Sequence, residues 1–328
     1  MIVVTGGAGF IGSNLLAGLE DRGERDLIVC DRLGRDGKWR NLAKREIADV
    51  IPPEELFAFL DRHAGAVTMV FHLGAISDTR ETDGDLLVAS NLTPTLELWR
   101  WCARHGARFV YASSAATYGD GSAGFDDDMA PEALAKLRPL NGYAWSKHAA
   151  DRRFARLAGR AAMRPGQWAG LKFFNVYGPN EYHKEAMRSV VFQVHERIAA
   201  GEPARLFRSD RPDVADGGQM RDFIWVGDCV DVMLWLLDHP EVSGLFNVGT
   251  GRARSFADLA AAAFAALDRE PHIDYVDMPP VLRGRYQYFT EARVDRLRAA
   301  GYDRPFTELE DGVRIYIRDF LDTADPYR

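Results

Sequence analysis

Short apolar runs alternate with amphipathic stretches through the first half of the chain, the pattern of a parallel sheet covered on both faces. Ile2–Thr5, Asp26–Asp31, Thr68–Leu73, Arg108–Ser113 and Trp168–Phe174 read as strands. Each is brief and rich in β-branched or aromatic residues. Helical periodicity lies between them, at Ile11–Arg22 with Leu15, Leu16 and Leu19 inward, at Pro53–Arg62, at Asn91–Arg104 and at Tyr143–Arg156. Beyond Gly178 the rhythm changes. Helices at Ser189–Ala200 and Val226–Asp238 are separated by a polar segment, Ser209–Met220, rich in Asp, Arg and Gly. It reads as a long loop, and loops of that length tend to be functional. Phe246–Gly249 reads as a late strand, and Ser255–Leu267 as a helix capped by Ser255.

Composition narrows the function classes. The chain has 328 residues, 47% hydrophobic and 27% charged, enough to bury a sizeable core in one extended domain or two. A formal net charge of −7 disfavours nucleic acid as a partner, because neutralising phosphates needs a basic surface. Cys30, Cys102 and Cys229 are far apart and form no CxxC pair, so neither a disulfide framework nor a metal site is expected. The chain opens directly on a strand and a glycine turn, which leaves no room for a signal peptide, and no apolar run is long enough to span a bilayer. The expected setting is cytoplasmic, without a membrane partner.

Candidate chemistry begins in Thr5-Gly6-Gly7-Ala8-Gly9-Phe10-Ile11-Gly12, which couples a strand directly to a helix. Gly6 and Gly9 would let the backbone turn and approach a pyrophosphate, whose charge the helix N-terminus favours; Gly12 would let helix pack closely on strand. Asp31, about 20 residues downstream, is placed to bind a ribose, which favours NAD. Arg32, Arg35 and Lys38 could instead hold the 2′-phosphate of NADP, or form only a solvated loop. The residues alone leave both cofactors open.

Tyr143 and Lys147 stand four apart, on one helical face. A tyrosine titrates near ~10, and a nearby ammonium favours its phenolate, making it a base for a hydroxyl proton. Taken alone, such a pair arises often by chance. Here Phe109-Val110-Tyr111-Ala112-Ser113-Ser114 ends an expected parallel strand, the edge where ligands bind in such sheets. Ser114 is the candidate to hydrogen-bond the reacting oxygen; Ser113 reads equally well as a strand-end cap.

The order of these blocks, together with Tyr111-Ala112-Ser113-Ser114-Ala115-Ala116-Thr117-Tyr118-Gly119, resembles the extended short-chain dehydrogenase/reductase family over essentially the whole chain. The resemblance implies an α/β fold: a Rossmann-type doubly wound parallel sheet with a smaller mixed substrate-binding lobe. Residues 1–177 with about 222–250 would bind NAD(P), and 178–221 with about 251–328 the nucleotide sugar, partly interleaved. Dehydratases of this family carry an Asp-Glu pair after the strand serine or threonine; Ala115-Ala116 argues against that reaction and leaves epimerisation.

A finer resemblance, to the family's epimerases of ADP-linked heptose, rests on Phe71-His72-Leu73-Gly74-Ala75, Phe173-Phe174-Asn175-Val176-Tyr177-Gly178-Pro179, His183-Lys184, Arg221-Asp222-Phe223 and Gly284-Arg285-Tyr286-Gln287. It implies transient oxidation and re-reduction of an exocyclic carbon, with Tyr143 and Lys184 as two acid/base groups. Lys184 read from sequence alone is as well a surface cation. It implies NADP, with NAD the alternative, bound by Gly6, Gly9, Phe10, Ile11, Gly12, Asp31, Arg32, Lys38, Leu73, Gly74, Ala75, Ile76, Ser77, Asn91, Lys147, Val176 and Lys184. Substrate contacts would be Ser114, Asn175, Ala186, Gln193, Phe207, Arg208, Ser209, Arg221 and Tyr286. A homo-oligomer, commonly a pentamer, and a role in lipopolysaccharide core synthesis are also implied. Pro53, Ala186, Gln193 and the length of 209–220 depart from that pattern. A UDP-sugar 4-epimerase or related reductase would use Ser114, Tyr143 and Lys147 without needing Lys184; a non-catalytic NAD(P)-binding protein would need only the glycine loop.

Overall fold

The computed structural model describes residues 1–279 and 286–328. Its strands are β1 (Ile2–Thr5), β2 (Leu27–Cys30), β3 (Asp49–Ile51), β4 (Met69–His72), β5 (Arg108–Ser114), β6 (Trp168–Phe173), β7 (Asn175–Tyr177), β8 (Ala204–Phe207), β9 (Met220–Trp225), β10 (Gly244–Val248), β11 (Ala253–Ser255) and β12 (Ile273–Val276). Among the described residues, seven of them form one sheet in the order β10-β6-β5-β4-β1-β2-β3. All its neighbouring pairs are parallel, with Val4 of β1 opposite Val29 of β2 on one side and Phe71 of β4 on the other. Strand order reverses between β1 and β4, and that reversal opens a crevice at their carboxyl ends.

Burial on both faces explains why these strands are apolar throughout instead of alternating. Val4, Phe71, Val110 and Leu171 pack with Leu15, Leu16 and Leu19 of the helix Phe10–Asp21 and Met233 and Leu236 of the helix Val226–Asp238. Their neighbours Val3, Val70 and Phe109 point the other way, against Leu98 and Trp99 of the helix Thr93–His105 and Phe154 of the helix Gly142–Ala158. Trp99 and Phe154 stack at 4.1 Å. Each such side chain removed from water contributes roughly 1.5–3 kcal/mol, so the sheet is held mainly by these two layers.

A third core, around Val191, Val194, Leu206, Leu259 and Val313, belongs to a smaller lobe. It carries the sheet β11-β9-β7 and the pair β12-β8. Expected and observed spans agree within a residue or two for β1, β2, β4, β5 and β6, and the helix Val226–Asp238 has the expected bounds. Ser255 caps its helix through a reciprocal pair, donating its amide to Asp258 (3.0 Å) and accepting the Asp258 amide (2.9 Å). β3, β7, β8, β9, β11 and β12 have no counterpart in the sequence reading. They are three to six residues long and pair mostly with distant segments. The segment between β8 and β9 is the expected loop, except that Met220 already starts β9. All three cysteines are free and buried. Among the described residues no helix is long and apolar enough to cross a membrane.

The two lobes are stitched at Asp222 on β9. Its buried carboxylate accepts from the Thr250 amide and hydroxyl (2.7 and 2.8 Å), the Gly251 amide (2.9 Å) and the Ala292 amide (2.9 Å). Truncation to Asp222→Ala would leave three backbone donors without this acceptor. The expected loss is roughly 3 kcal/mol, read as a lowered urea midpoint with unchanged slope. A midpoint equal to the parent's would show that the clasp contributes nothing.

Candidate active site

The turn from β1 into the helix Phe10–Asp21 approaches the end of β4 so closely that side chains are excluded. A Cβ on Gly6, whose φ is +68°, would lie 2.5 Å from the Gly74 amide nitrogen, and one on Gly12 would lie 2.1 Å from the Gly6 carbonyl oxygen. The loop is closed by the Gly9 amide donating to the Gly6 carbonyl (2.9 Å) and the Gly6 amide to the Cys30 carbonyl (2.8 Å). Gly9, the N-cap, brings no side chain to the first amides of the helix. Those donors and the positive dipole end suit an anion. This is a cradle a dinucleotide pyrophosphate fits and a Cβ would fill.

A cavity of about 600 Å³ runs from this loop across the crevice. Gly6, Gly9, Phe10, Ile11, Gly12, Asp31, Lys38, Leu73, Gly74, Ala75, Ile76, Ser77, Val176, Ser114, Tyr143, Lys147 and Lys184 all line it. Asp31 braces the site as well as facing it: its carboxylate accepts from the Ala8 amide (2.9 Å) and from Lys38 Nζ (2.6 Å). Two expected cofactor positions lie elsewhere. Arg32 turns to the surface, where it pairs with Glu54. Asn91 is buried behind the wall, accepting from the Ile76 amide (2.8 Å) and donating to the Ile76 carbonyl (3.0 Å), so it shapes the 73–77 loop.

Helix geometry puts Tyr143 and Lys147 one turn apart at the cavity wall, facing the end of β5. Burial pushes the Lys147 ammonium down to about 8, with Asp151 acting in the opposite direction. Burial raises the Tyr143 phenol above its ordinary value, partly offset by a hydrogen bond from Ser114. Of the two serines, Ser114 is the cap, accepting from the Ala116 amide at 3.1 Å, whereas Ser113 turns inward to Asp151 at 2.7 Å. The cap assignment for Ser113 is therefore corrected: alternation along β5 sends consecutive side chains to opposite faces.

Lys184 stands on the turn Tyr182–Met187, its Nζ 5.4 Å from the centroid of the Phe10 ring. Burial lowers its pKa while Glu181 raises it. The next residue, Glu185, has φ +46° and ψ −120°, a costly conformation for a residue with a side chain. His183, Arg80, Asp36, Asp78, Ser113 and Glu185 also line the cavity and were not foreseen. His183 is kept neutral, burial pushing it down to about 4. Its adjacency to Lys184 was the available signal; nothing in sequence marked Arg80.

The expected substrate positions form no single patch with the cavity. Asn175 is exposed at the start of β7, and Ala186 and Gln193 lie in a separate shallow groove, where Gln193 donates to the Arg188 carbonyl (2.8 Å). Phe207, Arg208 and Ser209 run from the end of β8 into the 208–219 loop. Phe207 meets Tyr286 edge-on at 6.1 Å, and the Arg221 guanidinium lies 5.1 Å from Tyr286 and 5.6 Å from Phe256. Arg221 is buried and donates to its neighbour's carbonyl, that of Met220 (2.8 Å), and among the described residues no carboxylate forms an ion pair with it. Gly284 and Arg285 lie outside the described residues.

The model of the NAD dependent epimerase/dehydratase family matches residues 2–249. A curated relative, the ADP-L-glycero-D-manno-heptose-6-epimerase of Nitratidesulfovibrio vulgaris (strain DP4), is 51% identical, with all of both chains covered. Among solved structures, the Helicobacter pylori ADP-L-glycero-D-manno-heptose-6-epimerase aligns with a TM-score of 0.79 at 27% identity, covering 98% of this chain and 96% of that one. The UDP-glucose 4-epimerase of Thermus thermophilus, in complex with NAD, aligns with a TM-score of 0.75 at 27% identity, covering 98% and 99%. Together with the glycine cradle and the Ser114, Tyr143, Lys147 constellation, these matches identify the chain as a member of the NAD dependent epimerase/dehydratase family.

Proposed function

We propose that the protein inverts C6″ of ADP-D-glycero-β-D-manno-heptose, giving the L-glycero epimer for lipopolysaccharide core synthesis. The observation that carries this reading is the convergence of two proton-handling groups on one cavity from separate elements: Tyr143 beside Ser114, and Lys184 on the turn over Phe10. A carbon that is oxidised, rotates and is reduced on its other face presents its oxygen in two directions. Tyr143 and Lys184 would each handle the hydroxyl proton in one of the half-reactions. Ser114 would hold the reacting oxygen, and Lys147 would stabilise the Tyr143 phenolate. When bound, the nicotinamide cofactor supplies the hydride acceptor and returns the hydride, so no net redox partner is needed.

The proposed division of labour follows the lobes. Residues 1–177 with about 222–250 would hold the cofactor, and 178–221 with about 251–328 the sugar nucleotide, the paired strands β7 and β9 lying where the two parts interleave. Arg221, a buried guanidinium among aromatic rings, suits the ADP diphosphate. For the cofactor we infer NADP. The Asp31 carboxylate is already neutralised by Lys38, so its repulsion of a 2′-phosphate is small, and Lys38 and His183 face that end of the cavity.

Incubating the purified protein with ADP-D-glycero-β-D-manno-heptose, and following the C6″ proton by NMR, is expected to show conversion to the L-glycero epimer. In Lys184→Ala the turnover should fall by at least ~100-fold, the lower range for loss of an acid/base group. Full activity in that variant, or conversion only of a UDP-sugar, would favour a 4-epimerase instead. Lys38→Ala is expected to weaken NADP binding at least ~10-fold, the loss of one charge-assisted contact, with little change for NAD. Calorimetry measures both; tighter binding of NAD than NADP by the parent protein would overturn the NADP assignment.

A further inference from the structure

Behind the wall that carries Tyr143 and Lys147 lies a charged cluster that lines no part of the cavity through its ion pair. The helix Gly142–Ala158 sets Tyr143, Lys147 and Asp151 at four-residue intervals on one face. Asp151 and Lys172, both wholly buried, meet at 2.7 Å. The carboxylate also accepts from the Tyr111 hydroxyl (2.9 Å) and the Ser113 hydroxyl (2.7 Å), both on β5. From β6, Lys172 donates in addition to the Thr117 hydroxyl (2.7 Å), which itself donates to the Ser114 carbonyl (2.8 Å). A buried pair of this kind is a weak source of stability, since desolvation roughly cancels its attraction and apolar residues would pack as well.

We propose that the Asp151–Lys172 pair is the positioning element of the active site, locking the helix that bears Tyr143 and Lys147 to the strand end that bears Ser114 and setting the electric field at both side chains. The inference rests on the roles proposed above for those three residues. Tyr143 faces Ser114 from β5 and Asp151 from its own helix; Lys147 faces Asp151 and, from β4, His72. Around Asp151 and Lys172 stand Tyr111, Tyr118 and His148. Burial holds His72 at about 3 and His148 at about 4, and raises both tyrosines well above their ordinary value, so all four are neutral near pH 7. That leaves Lys147 and the Asp151–Lys172 ion pair beside Tyr143, and of these Asp151 acts on it directly. Asp151 raises both the Tyr143 phenol and the Lys147 ammonium.

The signs are opposite for the two partners. Asp151→Asn removes the negative charge and leaves Lys172 uncompensated, which lowers the pKa of Tyr143. Lys172→Met leaves the carboxylate uncompensated and raises it. The experiment is an ultraviolet difference titration of the Tyr143 phenolate in the holoenzyme loaded with oxidised dinucleotide, each background measured against its own Tyr143→Phe version. Midpoints are expected to move down by ~1 pH unit for Asp151→Asn and up for Lys172→Met, and the pH profile of kcat should move the same way. The double variant, neutral in charge, guards against a single variant that does not fold, and its midpoint should fall by less than that of Asp151→Asn. Unmoved midpoints in the folded variants, with only thermal stability reduced, would make the pair structural and overturn the proposal. Because the titration needs no substrate, failure of the proposed epimerisation would show separately, as an inactive parent protein.

Discussion

Seven strands aligned in parallel, with the chain order reversing beside β1, constrain everything else in this molecule. Parallel pairing requires a crossover between neighbours, and the crossovers bury both sheet faces under helices. Their consequence is convergence: the ends of β1, β2, β4, β5 and β6 open on one edge, and the reversal leaves a gap there. Gly6 and Gly12 turn that gap into a cradle. Neither position tolerates a Cβ without moving backbone, so the closeness of β1, its helix and β4 depends on residues having no side chain.

Around the cradle, polar groups are braced by the protein's own hydrogen bonds. Asp31 is held by the Ala8 amide and Lys38, Asn91 grips the 73–77 loop, and His72 sits between the Thr5 and Thr95 hydroxyls at 2.6 and 2.8 Å. Such bracing fixes the geometry of a site whose chemistry is hydride and proton movement over short distances. Asp151 and Lys172 extend the same logic one layer deeper, joining helix, strand end and turn through hydrogen bonds that are each near 2.7–2.9 Å. The contrast with Arg221 is informative. That guanidinium is buried against rings without a carboxylate among the described residues, a state that favours an anionic ligand as its counter-charge.

The chain by itself determined six of the seven strands of the large sheet, all but the three-residue edge strand β3, because strands buried on both faces and helices with one apolar stripe leave local periodic signals that no distant contact alters. It also determined the glycine cradle and the Tyr143–Lys147 spacing, both being local backbone facts. It did not determine where single side chains turn. Arg32 goes to Glu54 and not to the cavity, and Ser113 turns to Asp151 where a strand-end cap was expected, while Ser114 faces the cavity as expected and takes the cap as well, because alternation along β5 meets Asp151 on one face and the crevice on the other. The small-lobe strands were illegible for a related reason: Met220–Trp225 becomes a strand by pairing with Asn175–Tyr177 on one side and Ala253–Ser255 on the other, both distant in the chain, and propensity in such short segments is weak. His183, Arg80 and Glu185 join the cavity only because the turn after β7 and the loop after β4 fold over the same crevice. Local pattern decides which elements form; the meeting of distant elements decides which charges are buried together, and with them the chemistry of the site.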